Sequence, residues 1–238
     1  AKNKAAVSGN TLTTTTANPS ATVTDGGPGG VVIDTNVAPA ISELKINGKL
    51  NVGQNLSASY AFDPKTGERT DVSTYVWGQK GTATAVTGSN SVVTQSGKVP
   101  AYTIVAGDAG KVLEVSVQAK NKAAVSGNTL TTTTANSTGT ITGGDPLQPG
   151  VVIDAAAKPS ISNLKVKGKL FVGESLVGEY IFDANNGDSS DNSTFAWGLE
   201  GTTNAAAPTG KVVTTSGVVP GYTIKDTDAG KVLEVSVR

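Results

Sequence analysis

The chain has 238 residues, of which 37% are hydrophobic and 5% aromatic, and its 19 basic residues are balanced by 19 acidic ones. Zero net charge leaves no electrostatic footprint for nucleic acid or for an anionic membrane surface. Cysteine is absent, which excludes a disulfide framework and thiolate metal sites, and histidine is absent too, which removes the commonest general base.

The first 18 residues, AKNKAAVSGNTLTTTTAN, recur letter for letter from Ala119 to Asn136. The rest obeys the same order, because Val31 to Val117 aligns without a gap on Val151 to Val237, with about half of the positions identical. The expected organisation has five parts. Residues 1–18 are a terminal hairpin belonging to a preceding or neighbouring unit, and 19–30 are a linker. Residues 31–136 form one complete unit, 137–150 are a second linker, and 151–238 form a unit that lacks its own terminal hairpin. There is no methionine, so the window is expected to come from the middle of a longer array, with its export signal and anchor elsewhere.

In chain order, the period-two alternation starts at Ile41, Leu44 and Ile46 and turns at Gly48. Leu50 and Val52 follow as a short strand, then Leu56, Ala58, Tyr60 and Phe62 share one face of the next. Tyr75 and Trp77 mark a further strand, as do Val92 to Thr94, Tyr102 with Ile104, and Leu113, Val115 and Val117. The tail AAVSGNTLTTTT reads as a hairpin turning at Ser126, Gly127 and Asn128. The second unit substitutes within type at Ile161, Leu164, Val166, Leu170, Leu176, Tyr180, Phe182, Phe195, Trp197, Tyr222, Ile224, Leu233 and Val235, so both units are expected to share one core pattern. The single Trp of each unit is its expected largest buried anchor. No segment reads as a helix. Short strands broken every eight to twelve residues, in units near the roughly 100 residues of an immunoglobulin-type domain, predict an all-β chain of tandem Greek-key β-sandwiches.

The ordered motifs GKLNVGQNL and GKLFVGESL, then YAFD and YIFD, STYVWG and STFAWG, VPAYTI and VPGYTI, and twice DAGKVLEVSV, resemble the bacterial immunoglobulin-like repeats of large surface adhesins of the intimin and invasin type. The resemblance runs through nearly the whole chain. It implies sandwiches stacked end to end in an extracellular rod, partnered by neighbouring repeats and, at a distance, by a host or cell-surface receptor. Antibody-like disulfide packing is excluded, since the position at which antibody domains carry a cysteine after the Asp-Ala-Gly corner holds none.

Few residues suggest chemistry. Asp183, Asn185, Asp188 and Asp191 crowd one loop with oxygen ligands of the kind calcium takes, although Lys65 and Arg69 stand in the corresponding loop of the first unit and favour a plain solvated turn. Asp108 and Asp228 recur before glycine at a corner, where a side chain capping its own turn is the simpler reading, and no partner completes a catalytic set. The expected role is therefore a spacer in a fibrous adhesin and not an enzyme. Two alternatives stand beside it. In the first, 1–18 is donated head to tail to the incomplete sandwich of 151–238, with Ala6, Val7 and Leu12 meeting Leu233, Val235 and Val237 by strand pairing. In the second, the chain is a carbohydrate-binding accessory module, for which few outward aromatics remain.

Overall fold

A computed structural model describes residues 12–15, 17, 30–83, 92–203 and 212–238. The chain is all-β: among the described residues helical structure is confined to short 3₁₀ turns such as Ala106–Asp108 and Asp226–Asp228. None is long and apolar enough to cross a membrane.

The first unit contains β1 (Ala40–Lys49), β2 (Asn55–Asp63), β3 (Thr74–Gln79), β4 (Lys98–Thr103), β5 (Leu113–Lys120), β6 (Ser126–Thr133) and β7 (Ile141–Thr142). They form two sheets, ordered β4-β2-β1-β7 and β3-β5-β6, in which every pair is antiparallel except β1 with β7. Alternation explains the core. Ile41, Leu56, Ala58 and Tyr60 from one sheet meet Val115, Val117 and Ala119 from the other in a single buried cluster. The second unit repeats the plan with β8 (Ser160–Lys167), β9 (Ser175–Asp183), β10 (Phe195–Leu199), β11 (Val218–Thr223) and β12 (Leu233–Val237), in sheets β11-β9-β8 and β10-β12.

Both units share a bulge in their first strand, between Ser42 and Lys45 and between Ser162 and Lys165. It places Glu43 at φ 55° and Asn163 at φ 54°. A second shared device ties the loop after β2 or β9 to the sheet. The Tyr60 hydroxyl donates to Asp71 at 2.8 Å, and Asp71 also accepts from the Ser73 and Ser96 hydroxyls and the Gly97 N–H. Tyr180, Asp191, Ser216 and Gly217 repeat this arrangement.

The structure corrects several details of the strand reading. Leu50 and Val52 lie in the turn between β1 and β2 and not in a strand, with Leu50 fully buried because that turn folds inward. Val92 makes only an isolated bridge to Thr74. The hairpin before β6 turns at Asn121 to Val125, where the Asn121 side chain accepts from the Val125 N–H and Ala124 takes φ 66°. Gly127 and Asn128 belong to the strand instead. A Cβ at Gly127 would overlap the Pro39 carbonyl, and the Asn128 amide bonds both the N–H and the C=O of Ile41. Glycine thus lets β6 of one sheet close on the start of β1 of the other.

The tryptophans are half-buried and not the deepest anchors. Trp77 stacks on Tyr102 with ring centroids 5.8 Å apart and donates its indole N–H to Pro100 O at 3.0 Å, so its polar edge sits near the rim. Trp197 and Tyr222 do the same in the second unit.

The two cores also differ more than the sequences suggest. Leu44, Ile46 and Leu50 are buried in the first unit, whereas their counterparts Leu164, Val166 and Leu170 are exposed in the second. The difference comes from the path the chain takes after β6.

Candidate functional site at the junction of the units

Beyond β6 the chain does not leave the first unit. Thr134 accepts from the Leu113 N–H and donates to Gly150 O at 2.6 Å, which pins the start of this stretch to its end. Ser137 Oγ accepts from Ile46 N and donates to Ile46 O, and the Thr140 N–H donates to Asn47 Oδ1 at 2.7 Å. Ile141 and Thr142 then pair in parallel with Gly48 and Lys49. Residues 137–150, which read as a linker, therefore run along the outer edge of β1.

Asp145 closes the next turn by accepting from Leu147 N–H and Gln148 Nε2, both at 2.9 Å. It also accepts from Ser189 Oγ in the second unit. Burial works against its ionisation, but the donors, Ser189 foremost, outweigh that and hold its carboxyl below the usual range.

The chain then delivers Val151, Val152 and Ile153, the first residues of the second repeat, into the first unit. Val152 N–H donates to Lys111 O at 2.9 Å and Val152 O accepts from Gly110 N–H at 2.8 Å. Ile153 N–H donates to Leu50 O, and Ile153 O accepts from Val52 N–H, each at 3.0 Å. Val152 is 0% exposed and belongs to the first unit's core cluster. Full burial of a valine side chain is worth about 1.5 to 3 kcal/mol. The three residues form a strap between the Leu50 turn and the corner before β5.

The oxygen-rich loop predicted from sequence lies beside this strap. Asn186 O accepts from Asp154 N–H at 2.9 Å, and the Asn186 side chain packs against Gly110 of the first unit. The four candidate calcium ligands are spread over separate tasks. Asp183 Oδ1 accepts from Asn185 N–H, Asn185 Nδ2 donates to Lys158 O, and Asp188 Oδ1 accepts from Ser190 N–H. Asp191 serves Tyr180, Ser193, Ser216 and Gly217. Among the described residues, no three acidic side chains converge as a metal would require, so this donor set does not fit calcium. The same Tyr–Asp network exists in the first unit, whose loop carries Lys65 and Arg69, so its purpose is to fix the loop.

Asp108 and Asp228 cap their own corners: each accepts from the N–H three residues earlier and from the hydroxyl of Tyr102 or Tyr222. The paired tyrosine hydroxyl is pushed up in both cases, to about 12 for Tyr102, by burial and then by Asp108.

Of the residues predicted to pair units, Ala6 and Val7 lie outside the described residues, and Leu12 is 89% exposed. Leu233, Val235 and Val237 pair with Leu199, Trp197 and Phe195 of β10 within their own unit. In its sheet β12 has one neighbour, whereas its counterpart β5 has two. The strap itself carried no special sequence signal, because Val-Val-Ile-Asp opens both units identically. Only the requirement that Leu50 and Val52 be covered by something could have pointed to it. No family model matches the chain, and no curated protein matches it.

Proposed function

We propose that each unit is an immunoglobulin-like Greek-key β-sandwich, and that the chain is a structural segment of a bacterial extracellular fibrous adhesin. It acts as a spacer that holds a binding region away from the cell. The observation that carries this reading is the burial of Val152, a residue of the second repeat, in the core of the first. Units joined by a segment that belongs to two cores transmit load and direction along a row, which is what a stalk requires. In such arrays each repeat contacts its neighbours alone, and length is set by copy number. The edge-hugging path of residues 137–150 and the bond between Asp145 and Ser189 support the same serial arrangement.

The test is immunogold labelling of intact source cells with antibody raised against this chain, together with the denatured mass of the labelled polypeptide. Surface label on a species far larger than 23.8 kDa is the expected result. Label confined to the cell interior would overturn the reading.

A further inference from the structure

The second unit presents an apolar groove where the first has a filled one. Leu170 is 78% exposed where Leu50 is 0% exposed, and Phe171, Val172 and Val232 beside it are exposed as well. These residues occupy the positions of the turn and corner that clasp Val151, Val152 and Ile153 in the first unit. An apolar row of this size on one face marks an interaction surface.

The chain also carries a segment with the sequence of the filler. Val31, Val32 and Ile33 repeat Val151 to Ile153 letter for letter, Thr22-Val23-Thr24 matches Thr140-Ile141-Thr142 with one conservative change, and residues 1–18 duplicate 119–136. In this segment Val32 is 81% exposed, against full burial for Val152. Leu12 is exposed, whereas its duplicate Leu130 packs against the first unit's core. The molecule therefore displays an exposed copy of the filler and an exposed copy of the groove, and its own first unit shows how the two fit.

We propose that the groove of the second unit takes residues 1–33 of a second copy of this chain. Val32 enters between the Leu170 turn and Val232, as Val152 enters between the Leu50 turn and Val112. The Thr-rich stretch around Leu12 lies along the open side of β12, as β6 lies along β5. Val32 backbone groups bond those of Gly230 and Lys231, and Ile33 those of Leu170 and Val172, by correspondence with the bonds in the first unit. The contact is heterologous, since groove and filler are different surfaces, so repetition gives an open row and not a closed dimer. This goes beyond the adhesin reading and holds wherever the protein resides.

The test uses two variants of the full chain, Val32→Asp and Leu170→Asp. Both positions are exposed in the single chain, so neither change disturbs its fold, which far-UV circular dichroism and tryptophan emission verify. In sedimentation velocity from micromolar to submillimolar concentration, the wild-type chain is expected to form a ladder of head-to-tail oligomers. Val32→Asp alone and Leu170→Asp alone are expected to stay monomeric, the first for want of a filler and the second for want of a groove. Mixed in equal amounts, they are expected to give one-to-one dimers and nothing larger, because only one intact filler and one intact groove remain per pair. A wild-type chain that stays monomeric would overturn the proposal. So would a ladder that survives either substitution, and so would a groove blocked by Leu170→Asp but indifferent to Val32→Asp, which assigns it another occupant. Cell-surface labelling is untouched by any of these outcomes, so this inference and the adhesin reading fail separately.

Discussion

The backbone N–H of Ile153 donates to the carbonyl of Leu50 at 3.0 Å, so a residue that opens the second repeat extends the hydrogen bonding of a turn in the first. The two repeats are thus defined by sequence on one boundary and by packing on another. Leu50, Ile46 and Leu113 reach full burial because a foreign strap and the β6 to β7 stretch lie over them.

The strap makes a paired prediction. Val152→Ala should lower the stability of the first unit by about 2 kcal/mol, through lost transfer energy and the residual cavity. Val32→Ala, in an identical local sequence but exposed, should change stability by less than about 0.5 kcal/mol. Urea unfolding of both variants checks this, and equal effects would contradict the burial of the strap.

The Tyr–Asp networks predict two pH limits. Burial, reinforced by Asp191, raises the Tyr180 hydroxyl to about 12, and Tyr60 is raised in the same way. A tyrosine in the unfolded chain loses its proton near pH ~10. The folded state holds its proton longer, so this contribution is complete below the unfolded value and is lost as pH rises from there to about 12. Burial opposes ionisation of Asp191, but donation from Ser193, Tyr180 and Gly217 outweighs it and lowers the folded value. Its contribution is present above the unfolded value of about 3.9 and is lost as pH falls through the lower folded one. The double variant Tyr60→Phe, Tyr180→Phe should flatten the alkaline limb of a thermal-stability profile, at a cost of about 1 kcal/mol per lost hydrogen bond at neutral pH.

Glu43 sits at φ 55°, a left-handed conformation that asparagine adopts far more readily, and the second unit has Asn163 at the same bulge. Glu43→Asn should therefore stabilise the first unit by about 1 kcal/mol. The 3.6 Å ion pair with Lys45 that the change removes is exposed and worth little. A melting temperature that falls would show that the pair matters more than the backbone.

At Gly127 the argument is steric. Gly127→Ala should destabilise the first unit by at least about 2 kcal/mol, because the added methyl meets the Pro39 carbonyl and would drive β6 off the start of β1. The expected readout is a lowered urea midpoint, together with faster amide exchange at Ile41, whose N–H is held by Asn128.

Most strands were legible because half-buried sheets impose alternation: Leu56, Ala58 and Tyr60, or Leu113, Val115 and Val117, can face only one way. The turn before β6 was misplaced because Ser-Gly-Asn satisfies turn chemistry as well as close packing, and only the proximity of Pro39 distinguishes the two. Leu50 and Leu170 show the deeper difficulty. They stand in the same Gly-Lys-Leu context, yet one is buried and the other is not, since burial there depends on residues about a hundred positions away. The junction was hidden for the same reason, as its linker composition gave no sign that Ser137, Thr140 and Asp145 each hold a neighbour. The cluster of Asp183 to Asp191 was conspicuous in sequence, but its members turned out to fix loops.

Because Val152 completes the first unit's core, synthesis and folding of the row are coupled in time. A chain emerging from its N-terminus presents β1 to β6 before that core can close, and closure waits until the opening of the next repeat arrives. Each repeat is thereby finished by its successor, which turns the order of residues into an order of events: folding advances in one direction, one unit behind the growing end.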